Sequence, residues 1–275
     1  MVAGFNKYLC LTLLLASLTI SSTWAARLVD DRYDPHAALE FSQQAIGRTL
    51  GDHSLVDSDG KPVSLHDFAG KPMVVSMIFT SCHHACPMTT KRLEEAARAA
   101  REVLGQDSFE IVTVGFDAAN DTPEAMGAFA RRQRVNEPGW RFLSADQATI
   151  EQISDDLGFI FFPTARGFDH LNQSTIINRD GVVYRQVYGV TFELPWLVEP
   201  LKELVFNRPG SAGHLVAGLV DRIKLFCTVY DPTTGRYRFD NSLFVRAAAG
   251  LIFILGVLFY LTREIIIARR SNKHE

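Results

Sequence analysis

The sequence predicts a mixed α/β sheet covered by helices on both faces. Two mainly apolar runs without strict alternation, 73–79 and 109–116, are each followed by a helical pattern, which is typical of strands buried on both sides of a sheet. One hairpin is predicted before them around the turn 57–60, and another after them around the turn 179–181. Strands that alternate with helices and end in a hairpin favour a mixed sheet over a bundle or a β-sandwich.

Four helices are predicted between and after these strands. The first spans 88–104, where apolar side chains recur with helical periodicity. The second begins at Thr122, a residue type suited to capping, which is followed by proline at the first helical position. The third runs from the capping residue Asp146 to Gly158, and the last lies within 194–206.

Shorter segments complete the predicted domain. A short strand is expected at 140–143, and the strands of the second hairpin at 174–178 and 182–187. Residues 159–170, rich in aromatic side chains and glycine, are expected to form a loop. Residues 27–50 show little periodicity and are expected to form an extended lead-in.

Both ends of the chain are apolar and predict targeting segments outside the domain, residues 51–207. Residues 1–26 have the layout of a secretory signal peptide, with a retained N-terminal anchor as the alternative. A linker with an amphipathic segment, 208–242, leads to a predicted transmembrane helix, 243–262, whose alternative is a buried core helix. The basic tail, 263–275, should stay in the cytoplasm. We therefore expect a bacterial inner-membrane protein whose domain faces the periplasm.

Composition excludes some functions. The 275 residues carry a formal net charge of −3 and show no basic stripe, which excludes a nucleic-acid-binding protein. Four cysteines are too few for a disulfide-built scaffold. Cys10 lies in the leader and the role of Cys227 is open, so Cys82 and Cys86 are the candidates for chemistry.

Cys82 and Cys86 lie where the first buried strand passes into a helix. Residues four apart share a helix face, so both sulfurs can reach one metal ion or each other. A helix N-terminus lowers thiol pKa values, and thiolates are both ligands for Cu(I) or zinc and the redox-active form of cysteine. The pair therefore predicts a metal site or a redox site, with buried structural cysteines as the plainer alternative.

A third ligand would complete a trigonal site that suits copper. His83 and His84 lie between the cysteines, and by helical spacing they should point away from the sulfurs into solvent. His170 ends the aromatic loop just before the second hairpin, which can approach the same end of the sheet, so it is the candidate third ligand. Four further histidines lack motif context and are predicted to lie on the surface; these are His36, His53, His66 and His214.

Three segments together resemble one family. Residues 70–87, GKPMVVSMIFTSCHHACP, contain a T-x-C-x-x-x-C-P element. Residues 115–124 contain the pattern D-x-x-x-D-T-P-E, and residues 168–170, Phe-Asp-His, precede the second hairpin. These motifs, in this order, resemble the Sco/SenC family of copper-binding, thioredoxin-like proteins over residues 55–206. His83-His84 replace an acidic residue that the family often has between its cysteines.

The resemblance implies a thioredoxin-like fold and copper, as Cu(I) or Cu(II), ligated by Cys82, Cys86 and His170. It implies a membrane-anchored chaperone that assists assembly of the binuclear copper site of a respiratory cytochrome c oxidase. The expected partners are the copper-accepting subunit, a copper donor or thiol reductase, and the membrane. The alternative is a thiol-disulfide oxidoreductase in which Cys82 and Cys86 cycle as a redox pair. Whether the chain is an enzyme is open, although a metallochaperone is favoured because thioredoxin-type oxidoreductases use the shorter C-x-x-C.

Overall fold

The computed structural model describes residues 33–206, 228–231, 236–239 and 242–271. The helices are α1 (Pro35–Gln44), α2 (Ala85–Leu104), α3 (Pro123–Gln133), α4 (Gln147–Leu157), α5 (Leu194–Phe206) and α6 (Ser242–Ser271). The strands are β1 (Ser54–Asp57), β2 (Pro62–Ser64), β3 (Met73–Ile78), β4 (Glu110–Gly115), β5 (Trp140–Ser144), β6 (Phe161–Thr164), β7 (Gly167–His170), β8 (Gln173–Ile177), β9 (Val183–Tyr188), β10 (Thr228–Asp231) and β11 (Arg236–Phe239). A 3₁₀ turn, Leu65–Phe68, follows β2.

A seven-stranded mixed sheet organises the domain, in the order β2-β1-β5-β4-β3-β8-β9. The strands β3, β4 and β5 run parallel, whereas the outer pairs are antiparallel. All residues of β3 are buried, because helices cover both faces of the sheet at its centre. The predicted mixed α/β architecture is therefore confirmed.

Two apolar layers hold the helices against the sheet. On one face, α3 and α4 bury Phe129, Ile150 and Ile153 against Val112 and Val114. The other face is covered by α2 and α5. Their buried side chains pack with residues of β3, β4 and β8; the layer includes Val74, Leu93, Ala97, Ile111, Ile176, Leu197 and Leu201. Helix α2 is thus fixed directly above β3, and its first turn lies at the carboxyl end of that strand.

Most of the predicted elements are observed. Both hairpins form, with Leu55 paired to Val63 and Thr175 paired to Gln186. Asp146 caps α4 by accepting a hydrogen bond from the Thr149 amide, and Gly158 ends the helix in a left-handed conformation. Helix α2 begins three residues earlier than predicted, so Cys86 lies inside its first turn.

Two expected irregular segments are ordered instead, and both are corrections. The lead-in 27–50 is not extended throughout, because helix α1 occupies Pro35–Gln44. Its start follows the usual pattern, with Asp34 accepting a hydrogen bond from the His36 amide and proline at the first helical position. The loop 159–170 contains the two-stranded sheet β6-β7, which pairs Phe161 with His170.

The predicted segments at the two ends have different outcomes. The signal peptide, 1–26, and most of the linker, 208–242, lie outside the described residues, as do Cys10, Cys227 and His214. The transmembrane helix predicted at 243–262 falls within α6, but none of the described helices is long and apolar enough to span a bilayer. That prediction is therefore not supported. Arg246 lies near the start of α6, and the uncharged stretch 247–261 is shorter than the roughly 20 residues that a span needs.

Candidate metal and redox site

Cys82 and Cys86 lie together at the carboxyl end of β3. Both are free thiols, and Cys82 is half-buried whereas Cys86 is only 3% exposed. The backbone N–H of Cys86 donates to the Cys82 sulfur at 3.3 Å. His84 occupies the N-cap of α2, but its side chain makes no capping hydrogen bond. The Cys82 sulfur instead accepts from one of the backbone N–H groups that have no partner within the first turn. The helix start therefore holds the first sulfur in place.

The two sulfurs differ strongly in acidity. A hydrogen bond from the Cys86 thiol lowers the pKa of Cys82 to about 5, helped by the backbone N–H groups of Cys86, His84 and Ala85 and opposed by burial. The same hydrogen bond raises the pKa of Cys86 well above its usual range, and burial adds to that rise. At neutral pH the pair is thus one accessible thiolate and one buried thiol.

We expect alkylation of Cys82 by iodoacetamide to titrate with a midpoint near pH 5 rather than near 9. Cys86→Ala should move this midpoint upward, since the largest stabilising contact of the thiolate is removed. Labelling rates measured across pH 4 to 10 by mass spectrometry give the midpoint. The matched control is His83→Ala, an exposed neighbour, which should leave the midpoint unchanged. A midpoint near 9 in the parent chain would show that the thiol–thiolate contact is absent.

His170 ends β7 at the same end of the sheet. Its ring packs against Phe79, Phe116 and Phe159, with centroid distances of 6.2, 5.3 and 5.4 Å. Burial lowers the pKa of His170, although a hydrogen bond to Leu171 and the charge of Cys82 oppose the shift. The ring is therefore held neutral, and it is near enough to Cys82 to interact with it electrostatically.

The hydrogen bond of His170 fixes which ring nitrogen is free. Nδ1 lies 2.8 Å from the Leu171 carbonyl oxygen. A carbonyl can only accept, so Nδ1 carries the proton and the Nε2 lone pair is available to a ligand. Metal-binding histidines are commonly oriented in this way.

The structure brings the predicted ligands to one region without assembling them. Across the described residues, no three side chains of the types His, Cys, Asp or Glu lie close enough together to hold a metal ion. Cys82 and Cys86 are in contact, whereas His170 packs against the rings of Phe79, Phe116 and Phe159 and interacts with Cys82 through its charge. The small sheet β6-β7 that carries His170 has no strand pairing with the main sheet and is joined to it by aromatic packing against Phe79 and Phe116.

Asp121 fixes the backbone that leads into the cysteines. Its carboxylate accepts hydrogen bonds from the Thr80 amide and hydroxyl, both at 2.7 Å, and from the Asp117 amide at 2.9 Å. It is only 2% exposed, and this burial raises its pKa while the bonds from Thr80 oppose the rise. The sequence motif contained Asp121, but its role was not predicted because Thr80 is 41 residues away in the chain.

Gly115 makes room for this carboxylate. A Cβ atom at position 115 would lie 2.5 Å from the Asp121 Cβ and 2.8 Å from the Met126 sulfur. We expect Gly115→Ala to lower the free energy of unfolding by about 1–3 kcal/mol, the usual cost of overpacking, in chemical denaturation. Gly250→Ala, where nothing lies within 4 Å, is the control and should not destabilise the protein. Equal stabilities for the two variants would disprove this packing constraint.

The other histidines have different environments. His83 and His84 are exposed, as predicted. His53 is not a surface residue: it is 6% exposed, and its Nε2 lies 2.6 Å from Asp156 Oδ2. This prediction was wrong because the partner is 103 residues away, so no local pattern reveals it.

Comparison with known proteins identifies the family. The family model described as SCO1/SenC matches residues 42–203, more than half of the chain. The chain belongs to the SCO1/SenC family. It is 22% identical over 206 residues to "Protein SCO2 homolog, mitochondrial" of Mus musculus, an alignment that covers 72% of this chain and 78% of the relative.

Two solved structures of the family share the thioredoxin-like fold. One is BsSco, described as a member of the Sco family of cytochrome c oxidase assembly proteins with a disulfide switch. It is 21% identical with a TM-score of 0.53, covering 59% of this chain and 96% of that one. The other is Arabidopsis thaliana ScoI with copper bound, 22% identical with a TM-score of 0.50, covering 57% and 97%. At these identities the likeness establishes the fold.

Proposed function

We propose that this protein is a copper chaperone that holds one copper ion through Cys82, Cys86 and His170. The observation that carries the proposal is that Cys82, which favours the thiolate, and His170, whose Nε2 is free, lie near enough at one end of the sheet to interact electrostatically. Thiolate and imidazole together are ligands that suit copper. Membership of a family with copper-bound relatives supports the same choice.

Loading copper requires His170 to approach the two sulfurs. The ligands are not assembled among the described residues, and Cys86 must lose the proton that it shares with Cys82. A bound cation supplies the charge that favours deprotonation of a ligating thiol. In this proposal the approach comes from a shift of β7, which carries His170 and, among the described strands, pairs with β6 alone.

The recipient in this proposal is the copper-accepting subunit of a cytochrome c oxidase. The relative BsSco is described as a cytochrome c oxidase assembly protein, which supports this choice of partner. The signal-peptide pattern of residues 1–26 supports export, so we place the domain in the bacterial periplasm.

A transfer experiment tests the proposal. The chain loaded with Cu(I) is mixed with the metal-free, reduced subunit, and the binuclear copper site is followed by its absorption and electron paramagnetic resonance. We expect the site to form as copper leaves the chaperone. Retention of all copper by the loaded chain would contradict a delivery role.

The two cysteines differ in accessibility and acidity, and this difference favours a second function. That function is the reduction of a disulfide in the copper-accepting subunit. An accessible thiolate at Cys82 can attack a partner disulfide, and buried Cys86 can then resolve the mixed disulfide. This activity needs no metal. His170→Ala should therefore preserve the rate of metal-free reduction if the chain is a reductase, while it should impair copper delivery if the chain is a chaperone.

A further inference from the structure

An open cavity of about 580 Å³ lies beside Cys82, on the side of α3. Its lining includes the apolar residues Pro87, Ala125 and Phe129 and the polar residues Arg132 and Gln133. The volume is within the usual range for sites that bind small molecules. Neither copper ligation nor the orientation of His170 accounts for this cavity.

The guanidinium of Arg132 is available to a ligand in this cavity. It lies 5.9 Å from the centroid of the Phe129 ring, and one of its nitrogens is 3.5 Å from the Thr80 carbonyl oxygen. The ion pairs found within the described part of the chain use other arginines, and Arg132 forms none of them. An exposed guanidinium held over an aromatic ring without a carboxylate partner is suited to bind a carboxylate.

Only one of the two sulfurs can react with a molecule in the cavity. Cys82 lines the cavity and is half-buried, whereas Cys86 is 3% exposed and does not line it. A ligand whose carboxylate binds Arg132 can therefore place its remaining atoms against the apolar lining and reach Cys82 within the same cavity. A ligand that contains sulfur would meet Cys82 and no other thiol.

We propose that this cavity binds a small disulfide with carboxylate groups, of the class of oxidised glutathione, and that Cys82 forms a mixed disulfide with it. The Cys82 thiolate attacks one sulfur of the bound disulfide, and the leaving sulfur takes up a proton from water. The S–S bond of the ligand breaks, and the leaving thiolate takes the electron pair. Cys82 is oxidised, and one half of the ligand leaves as the reduced thiol.

The mixed disulfide has a defined second step. The Cys86 sulfur attacks Cys82, the bond from Cys82 to the ligand breaks, and the second half of the ligand leaves as a thiol that carries the proton lost by Cys86. The product is a Cys82–Cys86 disulfide. Cys86→Ala removes this second step, so the mixed disulfide should persist in that variant.

The experiment uses the full chain, reduced and without metal, and oxidised glutathione as the probe. Intact-mass spectrometry follows the adduct on Cys82 with time, and a neutral disulfide, 2-hydroxyethyl disulfide, is run in parallel. We expect Arg132→Gln to slow the reaction with oxidised glutathione about tenfold and to leave the reaction with the neutral disulfide unchanged. Raising the salt concentration should slow only the first reaction in the parent chain.

Arg134→Gln is the matched control, since Arg134 is an exposed arginine that does not line the cavity. It should react like the parent. Binding of S-methylglutathione, which cannot form a disulfide, gives a second readout by calorimetry and should be weakened by Arg132→Gln alone. Equal rates with oxidised glutathione for the parent chain and Arg132→Gln, or no binding of S-methylglutathione to the parent, would overturn the proposal.

The outcome is independent of the copper proposal. A chain that binds copper normally and shows no preference for oxidised glutathione would refute only the cavity assignment. A chain that prefers oxidised glutathione and binds no copper would refute only the chaperone assignment.

Discussion

Cys82→Ala is expected to weaken copper binding more than a hundredfold and to abolish reduction of a partner disulfide. Loss of a residue that merely orients a metal ligand typically costs 10–100-fold in metal affinity, and the loss of a thiolate ligand should cost more. Cys82 is also the accessible thiolate, with a pKa of about 5, so no other thiol in the site can begin the exchange reaction. Copper competition against a chelator of known affinity and a disulfide-reduction assay measure the two effects.

Ser81→Ala is the control for this variant, because Ser81 is an exposed neighbour of Cys82. It should match the parent chain in both assays. Copper affinity within tenfold of the parent in Cys82→Ala would remove Cys82 from the ligand set.

Asp121→Ala is expected to lower the free energy of unfolding by about 3 kcal/mol or more. The Asp121 carboxylate is buried, and its removal would leave three donors without their acceptor. These donors are the Thr80 amide, the Thr80 hydroxyl and the Asp117 amide. Each buried donor left without a partner costs about 1–3 kcal/mol. Because Thr80 leads directly into the cysteine pair, Cys82 should also become less well positioned, and copper affinity should fall. Chemical denaturation and copper competition measure these changes.

Asp121→Asn separates the contributions of these bonds. Its carbonyl oxygen can still accept from Thr80, but its NH₂ group cannot accept from Asp117. We therefore expect the free energy of unfolding of Asp121→Asn to lie between that of the parent chain and that of Asp121→Ala. If Asp121→Ala unfolded at the same denaturant concentration as the parent chain, the carboxylate would have no structural role.

The sequence was sufficient where the signal is local. A mainly apolar run without alternation predicted β3 correctly, because a strand covered on both faces needs no solvent-facing polar positions. The caps of α4 were likewise predicted, since Asp146 and Gly158 act on adjacent residues. The start of α1 carried the same kind of signal in Asp34 and Pro35, so this helix was a missed local pattern rather than an unpredictable one.

What the sequence could not predict depends on distant residues. The burial of His53 requires Asp156, and the placement of Thr80 requires Asp121. The unequal pKa values of the two cysteines depend on a hydrogen bond between their sulfurs and on the deeper burial of Cys86. The spacing of the cysteines allowed metal binding or redox chemistry equally, and only the packing showed which sulfur is accessible.

Copper binding by the full chain and by His170→Ala is the most direct measurement of the central claim. The copper content after loading and desalting, and the affinity for Cu(I) and Cu(II), are determined for both. His36→Ala, the substitution of an exposed histidine in α1, is the control. We predict about one copper per chain for the parent and for His36→Ala, and an affinity at least tenfold lower for His170→Ala. If His170→Ala bound copper as tightly as the parent chain, the three-ligand site of Cys82, Cys86 and His170 would be contradicted.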